Sequence, residues 1–301
     1  MTKIHFDDSD DLIDICRDNA FKAVFTKNIP ESQGALSDLV SAIIGRPLSV
    51  TTIIANEPPI DNLRDRQIRF DIKCKAKDGE LVDVEMSLNP DAFEPLRLEF
   101  YASRLFTGQD IRGGEKEYDD LKQTYQIAIL VKKHYFPDED FFHTFEYYDA
   151  ERKVSLGGRS RIITLELSKL ELIVAKTPET MTASEHWAVF FRYLADKTKR
   201  QKINEIVQLE EGISMASAVL MTISRDEVER ARLESEYKYE VDTQSKVVHA
   251  KREGLREGKR EGKREGQNDV LELMKQGYTA EQIETKLAAN RKVWKKSSSG
   301  K

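Results

Sequence analysis

The stretch RFDIKCKAKDGELVDVEMS, from Arg69 to Ser87, constrains this chain more than any other. Two β-rich runs flank Asp78-Gly79, a dipeptide that favours a tight turn, so the runs are predicted to pair as an antiparallel hairpin. Side chains alternate between the two faces of a strand. Ile68, Phe70 and Ile72 therefore share one face and Asp71 lies on the other, while Val82, Val84 and Met86 oppose Asp83, Glu85 and Ser87. One face is core and the other is acidic. Pairing about the turn brings Asp71 and Glu85 side by side.

Adjacent carboxylates repel unless a cation or a shared proton lies between them. Their oxygens suit a hard cation such as Mg²⁺. An ion held there binds a phosphodiester oxygen, lowers the pKa of a bound water and offsets charge developing in the transition state. A solvent-facing hairpin with ordinary polar alternation, to which Lys73, Lys75 and Asp83 belong equally well, also accounts for these residues. The hairpin by itself leaves both readings open.

Around the hairpin, residues 11 to 27 place Leu12, Ile15, Cys16, Phe21, Val24 and Phe25 at helical spacing. A second apolar helix is predicted from Gln33 to Ile44, closed by Gly45-Arg46-Pro47. Val50 to Ile54 reads as a strand, Ile68 to Lys75 and Leu81 to Leu88 as the hairpin arms, and Pro95 to Phe106 as a helix. Tyr125 to Val131 and Ile162 to Leu167, apolar on both faces, read as buried strands. This order predicts an α/β domain over residues 8–180. Helical patterns alone follow: a region at 184–250, a KREG repeat at 251–266, and a small helical tail at 267–301 built round a Gly277 turn and a Thr279 cap.

Net charge is −5, from 48 basic and 53 acidic residues, so global attraction to nucleic acid is not expected and basic residues must be grouped locally to serve it. Such a group is KREGLREGKREGKREG, with seven Lys or Arg against four Glu. Its glycines, 254, 258, 262 and 266, fall on one helical face, each costing about 1 kcal/mol relative to alanine. A solvated linker, a basic arm on DNA and a homo-oligomerising helix packed along the stripe all fit this segment. The two cysteines, Cys16 and Cys74, fall in apolar patterns that suit reduced thiols. The acidic N-terminus and the lack of a long apolar run set the expectation of a cytoplasmic protein with no membrane partner.

The ordered text DNAFKAVF (18 to 25), FDIKCKAKDGELVDVEM, RLEFYASRLF (97 to 106), YDDLKQTYQIAIL (118 to 130) and TLELSK (164 to 169), with the repeat tail, resembles the Rpn family. These are recombination-promoting nucleases, often labelled transposases, of the PD-(D/E)XK superfamily. The resemblance implies a restriction-endonuclease-like core, a mixed sheet flanked by helices, followed by a C-terminal helical region. It also implies a Mg²⁺- or Mn²⁺-dependent DNA endonuclease with a role in recombination or transposition. Asp71 and Glu85 would be the metal-binding acids, the carbonyl of Met86 a further ligand, and Asp18 the helix acid that completes the site. Arg97 and Tyr101, one turn apart, match family positions and are candidate DNA contacts; packing of the helix on the sheet explains them equally. Ser87 departs from the pattern. The wider fold usually carries lysine there and the Rpn family commonly glutamine, and a serine hydroxyl brings no charge to the phosphate. Lys22 and Lys73 are the candidates to compensate. The alternative is a weakened or inactive nuclease fold acting as a DNA-binding or self-associating regulatory module.

Overall fold

A computed structural model of the chain describes residues 4–54, 71–109 and 117–286. Among these, helices α1 (Asp18–Phe25) and α2 (Pro30–Ile44) lead into strand β1 (Val50–Ile53) and the hairpin β2 (Ile72–Ala76) and β3 (Leu81–Ser87). Helix α3 (Glu94–Thr107) then carries the chain to β4 (Thr124–Leu130). Short strands β5 (Phe142–Phe145), β6 (Tyr148–Asp149) and β7 (Val154–Ser155) precede β8 (Ser160–Glu166). The remainder is helical: α4 (Glu171–Val174), α5 (Ala183–Tyr193), α6 (Arg200–Leu209), α7 (Glu211–Arg225) and α8 (Glu227–Lys275).

The main sheet has the order β1-β2-β3-β4-β8-β5. β1, β2 and β3 are successively antiparallel, β3, β4 and β8 run parallel, and β5 returns antiparallel to β8. The sheet is mixed, with α3 supplying the crossover between its parallel neighbours β3 and β4, as parallel pairing requires. β6 and β7 form a separate hairpin. At the β2–β3 turn Gly79 takes φ 88° and donates its N–H to Ala76 O at 2.9 Å, a left-handed conformation that glycine adopts at no steric cost.

One sheet face, with Ile72, Cys74, Val82, Val84, Met86, Ile127, Ile129, Ile163 and Leu165, carries the principal core. α1 and α2 bury Phe21, Val24, Phe25, Leu36, Leu39 and Val40 in it. Trp187, Phe190, Phe191, Ile206, Ile213 and Leu220 of α5–α7 belong to the same cluster, so these helices complete the core of the sheet. α2 and α7 approach so closely that a Cβ on Gly212 would lie 2.2 Å from the Asp38 side chain. The opposite face carries a small cluster of Leu98 from α3 with Ala128 and Leu130 of β4. No single described helix is long and apolar enough to cross a membrane; a bent pair spanning 197–225 passes on length and composition, and α6 and α7 within it contribute to the core just described.

Two compact units divide at Tyr237. The first, residues 1–237, holds everything above, including the start of α8, where Leu233 is buried and its carbonyl accepts from Asn19 Nδ2 at 2.6 Å. The second contains the KREG repeat within α8, where a Cβ on Gly254, Gly258, Gly262 or Gly266 would meet nothing within 4 Å. Gly277 (φ 87°) turns the chain, and Thr279 and Gln282 exchange side-chain and backbone hydrogen bonds as a helix cap ahead of Ile283, which is buried.

Three expectations need correction. The helix predicted over 11–27 is confined to Asp18–Phe25: Ile13 N–H goes to Ser224 Oγ, Cys16 N–H to Asp14 Oδ1 and Arg17 N–H to Asp14 O, so the backbone donors of this stretch are used in turns and tertiary bonds. α2 begins at Pro30, since proline is preformed for the first helical position and has no N–H to lose there. β5, β6 and β7 add strands that periodicity does not reveal. Pro58, Pro59, Ile68 and Phe70 lie outside the described residues.

Candidate active site

β2 and β3 are in the register Ile72↔Val84 and Lys73↔Asp83, which sets Asp71, just before β2, opposite Glu85. The pair is locked by its own backbone: Asp71 N–H donates to Glu85 Oε1 and Met86 N–H donates to Asp71 Oδ2, both at 2.9 Å. α1 delivers Asp18 and Lys22 to the same place. Lys22 Nζ lies 2.8 Å from Asp18 Oδ1 and 3.0 Å from Asp71 Oδ1. From α3 on the other side, Arg97 Nη2 lies 3.4 Å from Ser87 Oγ and 2.7 Å from Glu94 Oε1. Burial, and then the charge of Glu85, raise the pKa of the Tyr101 hydroxyl.

Asp71, Glu85, Asp18, Lys22, Ser87 and Arg97 thus lie around the β2–β3 pair. Met86 enters through its N–H to Asp71. Lys73 is the outlier, because its pairing residue across the hairpin is Asp83 and not Asp71 or Glu85. Asp83 is the residue that the sequence underweights. It is fully buried, two positions before Glu85 on the same face, and accepts from Gln126 Nε2 at 2.6 Å. Alternation along β3 points to Asp83; Gln126, inside the apolar run of β4, and Glu94 carry no such signal.

These carboxylates are electrostatically expensive. Burial, with the charge of Asp18 behind it, pushes the Asp71 carboxyl up to about 6 against the pull of Lys22 and the Met86 N–H. Asp83 rises to about 8, again chiefly by burial. Glu85 rises further, through burial and then the charges of Asp83 and Asp71. Burial disfavours the Lys22 ammonium, but Asp71 and Asp18 outweigh it and raise its pKa. Arg97 behaves likewise, with Glu94 and Glu85 overcoming burial. Lys73 is lowered by burial, which Asp83 only partly opposes.

The donor chemistry fits a hard divalent cation: Asp18 and Asp71 already hold a cation, the Lys22 ammonium, between them, and Glu85 accepts the Asp71 N–H beside them. As the side chains stand, no three Asp, Glu, His or Cys groups among the described residues are placed to hold a metal ion together.

Glu166, which matches the family pattern without an evident chemical role, has a structural one. It is fully buried at the end of β8, receives Lys169 Nζ at 2.6 Å and accepts the backbone N–H groups of Tyr135 and Phe136. The register Ser87↔Leu130↔Glu166 keeps it two strands away from the acid pair, where it anchors the loop after β4.

Neither the curated proteins nor the solved structures include a match to this chain. A family model does match: that of the PD-(D/E)XK nuclease family transposases, over residues 15–250. The match spans both helices of the first layer, the whole sheet with its acid pair, and α5–α7. Nucleases of this family generally use divalent metal ions and take DNA as substrate. With a mixed sheet, flanking helices and paired acids at the hairpin, the chain belongs to the PD-(D/E)XK nuclease family transposases.

Proposed function

We propose that this chain is a cytoplasmic, Mg²⁺- or Mn²⁺-dependent DNA endonuclease that acts in recombination or transposition. The observation that carries the reading is the pairing of Asp71 with Glu85 across the two interior strands β2 and β3, with Asp18 joined to Asp71 through Lys22 on one helix and Arg97 of another helix beside Ser87. Asp71, Glu85 and Asp18 would hold the ion, with the Met86 carbonyl as a further ligand; bound there, it would supply an activated water and neutralise charge on the phosphate. The residues of the chain do the rest. The Met86 N–H orients Asp71, the Asp71 N–H orients Glu85, and Lys22 balances the acids. Lys73, paired across the hairpin with Asp83, offsets part of the Asp83 charge. Tyr101 and Arg97 line the approach to the phosphate.

A second reading, a DNA-binding or regulatory module with weakened catalysis, is favoured by Ser87, which brings no charge, and by Lys22 standing between Asp18 and Asp71. Supercoiled plasmid incubated with Mg²⁺ or Mn²⁺ separates the two. Nicking or linearisation by the wild type that Asp71→Ala abolishes supports the enzyme. DNA retention without cleavage at any ion concentration supports the module.

A further inference from the structure

Ser87 stands where nucleases of this fold usually carry a lysine, and its neighbour in space is a guanidinium. Arg97 reaches from the first turn of α3 to within 3.4 Å of Ser87 Oγ. It is held in that direction by Glu94, whose side chain is 3% exposed and whose Oε1 lies 2.7 Å from Arg97 Nη2. The charge of Glu85 also acts on it. We propose that Arg97 is the catalytic cation of this site, replacing in space the lysine that is missing in sequence, and that Glu94 is its positioning residue. The proposal rests on the nuclease reading above.

Three features favour this assignment. A side chain at position 87 points to the same face as Asp83 and Glu85, so a lysine there would extend toward the ground that Arg97 already occupies. A serine leaves that space open. Second, the charge of Lys22 is committed, its Nζ being shared between two carboxylates at 2.8 and 3.0 Å, whereas among the described residues Arg97 forms one ion pair, with Glu94, and carries five N–H donors in a planar fork. Third, a guanidinium keeps its charge at any working pH and matches two phosphate oxygens at once.

The chemistry balances as a hydrolysis. The oxygen of water forms a bond to phosphorus while the bond to the leaving oxygen breaks and its electron pair stays on that oxygen. The attacking water loses one proton to solvent, the leaving oxygen gains one from solvent, and one water is consumed. Arg97 donates to the non-bridging oxygens as their negative charge grows.

The test is a charge relocation on the full chain, read by plasmid cleavage with Mn²⁺, DNA binding by anisotropy and a thermal melt for each variant. Arg97→Ala is expected to lower kcat on the order of 10²- to 10³-fold with little change in KM. Arg97→Ala combined with Ser87→Lys is expected to recover at least about tenfold, corresponding to one decade in the barrier. Arg97→Lys, which keeps the charge and loses the planar fork, is expected to fall between wild type and Arg97→Ala. A helix-stabilising role for the Arg97–Glu94 pair would appear in the melt and would not be rescued from position 87. Full activity in Arg97→Ala overturns the proposal, as does a folded Arg97→Ala enzyme that neither Ser87→Lys nor the lysine replacement improves. A wild type that cuts no DNA instead overturns the nuclease reading, and this inference with it.

Discussion

On one face of the sheet β2, β3, β4 and β8 present Ile72, Cys74, Val82, Val84, Ile127, Ile129, Ile163 and Leu165 to aromatic and aliphatic side chains from α1, α2 and α5–α7. On the other, β3, β4 and β8 present Asp83, Glu85, Ser87, Gln126, Thr164 and Glu166, all buried. Burying apolar surface contributes about 25 cal/mol per Å². Burying carboxylates costs free energy unless each finds hydrogen bonds or a counter-charge. The second face needs Lys22, Arg97, Lys169, Gln126 and several backbone N–H groups to stay folded, while the first needs only to exclude water. Such a face is costly to stability, and it is the one on which the proposed site lies.

The sharpest way to break the contrast is to change each face without changing its shape. Glu85→Gln keeps the oxygen that accepts the Asp71 N–H but cannot carry charge. Metal-dependent plasmid cleavage is expected to fall by at least about a hundredfold, with a melting temperature no lower than wild type. Retention of the wild-type rate would move the chemistry elsewhere. The reverse pattern is expected from Trp187→Ala on the apolar face. Trp187 is buried against Phe25, Phe190 and Phe191 and donates Nε1–H to Asp38 at 2.8 Å. Its loss should cost about 3–5 kcal/mol in denaturant melts, with cleavage per folded molecule little altered.

How much of this contrast the sequence reveals depends on the range over which each feature is encoded. The hairpin is legible because two-residue alternation and the Asp78-Gly79 turn are local, and β4 and β8 because uninterrupted β-branched and apolar runs mark strands buried on both faces. β5 is not legible. Phe142–Phe145 is only four residues long, and it is a strand because the edge of β8 is there to pair with. The stretch before α1 mimics helical spacing, yet Asp14 and Ser224 take its N–H groups, the latter from 211 residues away. Within the site, Asp71, Glu85 and Asp18 follow from pattern and resemblance. The meeting of Arg97 with Ser87 depends on how α3 lies against β3, and no spacing in the sequence records that.

Asp83 sharpens the comparison through pH. An aspartate in the unfolded chain ionises near 3.9, whereas in the folded protein burial keeps Asp83 protonated up to about 8. The native state therefore binds more protons than the unfolded state across that window. Stability falls as pH rises from about 4 to 8 and levels off above it. Asp83→Asn preserves an acceptor for Gln126 and has no charge to acquire. Melts at pH 5 and pH 8 should show the variant close to wild type at the lower pH and more stable by at least about 1 kcal/mol at the higher. Parallel pH profiles in both proteins would mean that Asp83 does not titrate in this range.

The smallest effect is expected at Lys22, where the two faces meet, since α1 contributes Phe21 and Phe25 to the apolar core and Lys22 to the acids on a single turn and a half of helix. Its ammonium neutralises Asp18 and Asp71 and so competes with any divalent ion for the same oxygens. Lys22→Ala removes the competitor and leaves Asp18 and Asp71 facing each other with less compensation. The metal-free variant should melt a few degrees below wild type at pH 8 and close to it at pH 5, because protonation of Asp71 relieves the same repulsion. Titrating Mn²⁺ should then raise its melting temperature more than that of wild type, as binding to the native state alone stabilises by mass action. A smaller Mn²⁺-induced rise in Lys22→Ala would show that the lysine helps to assemble the metal-binding acids and does not compete for them.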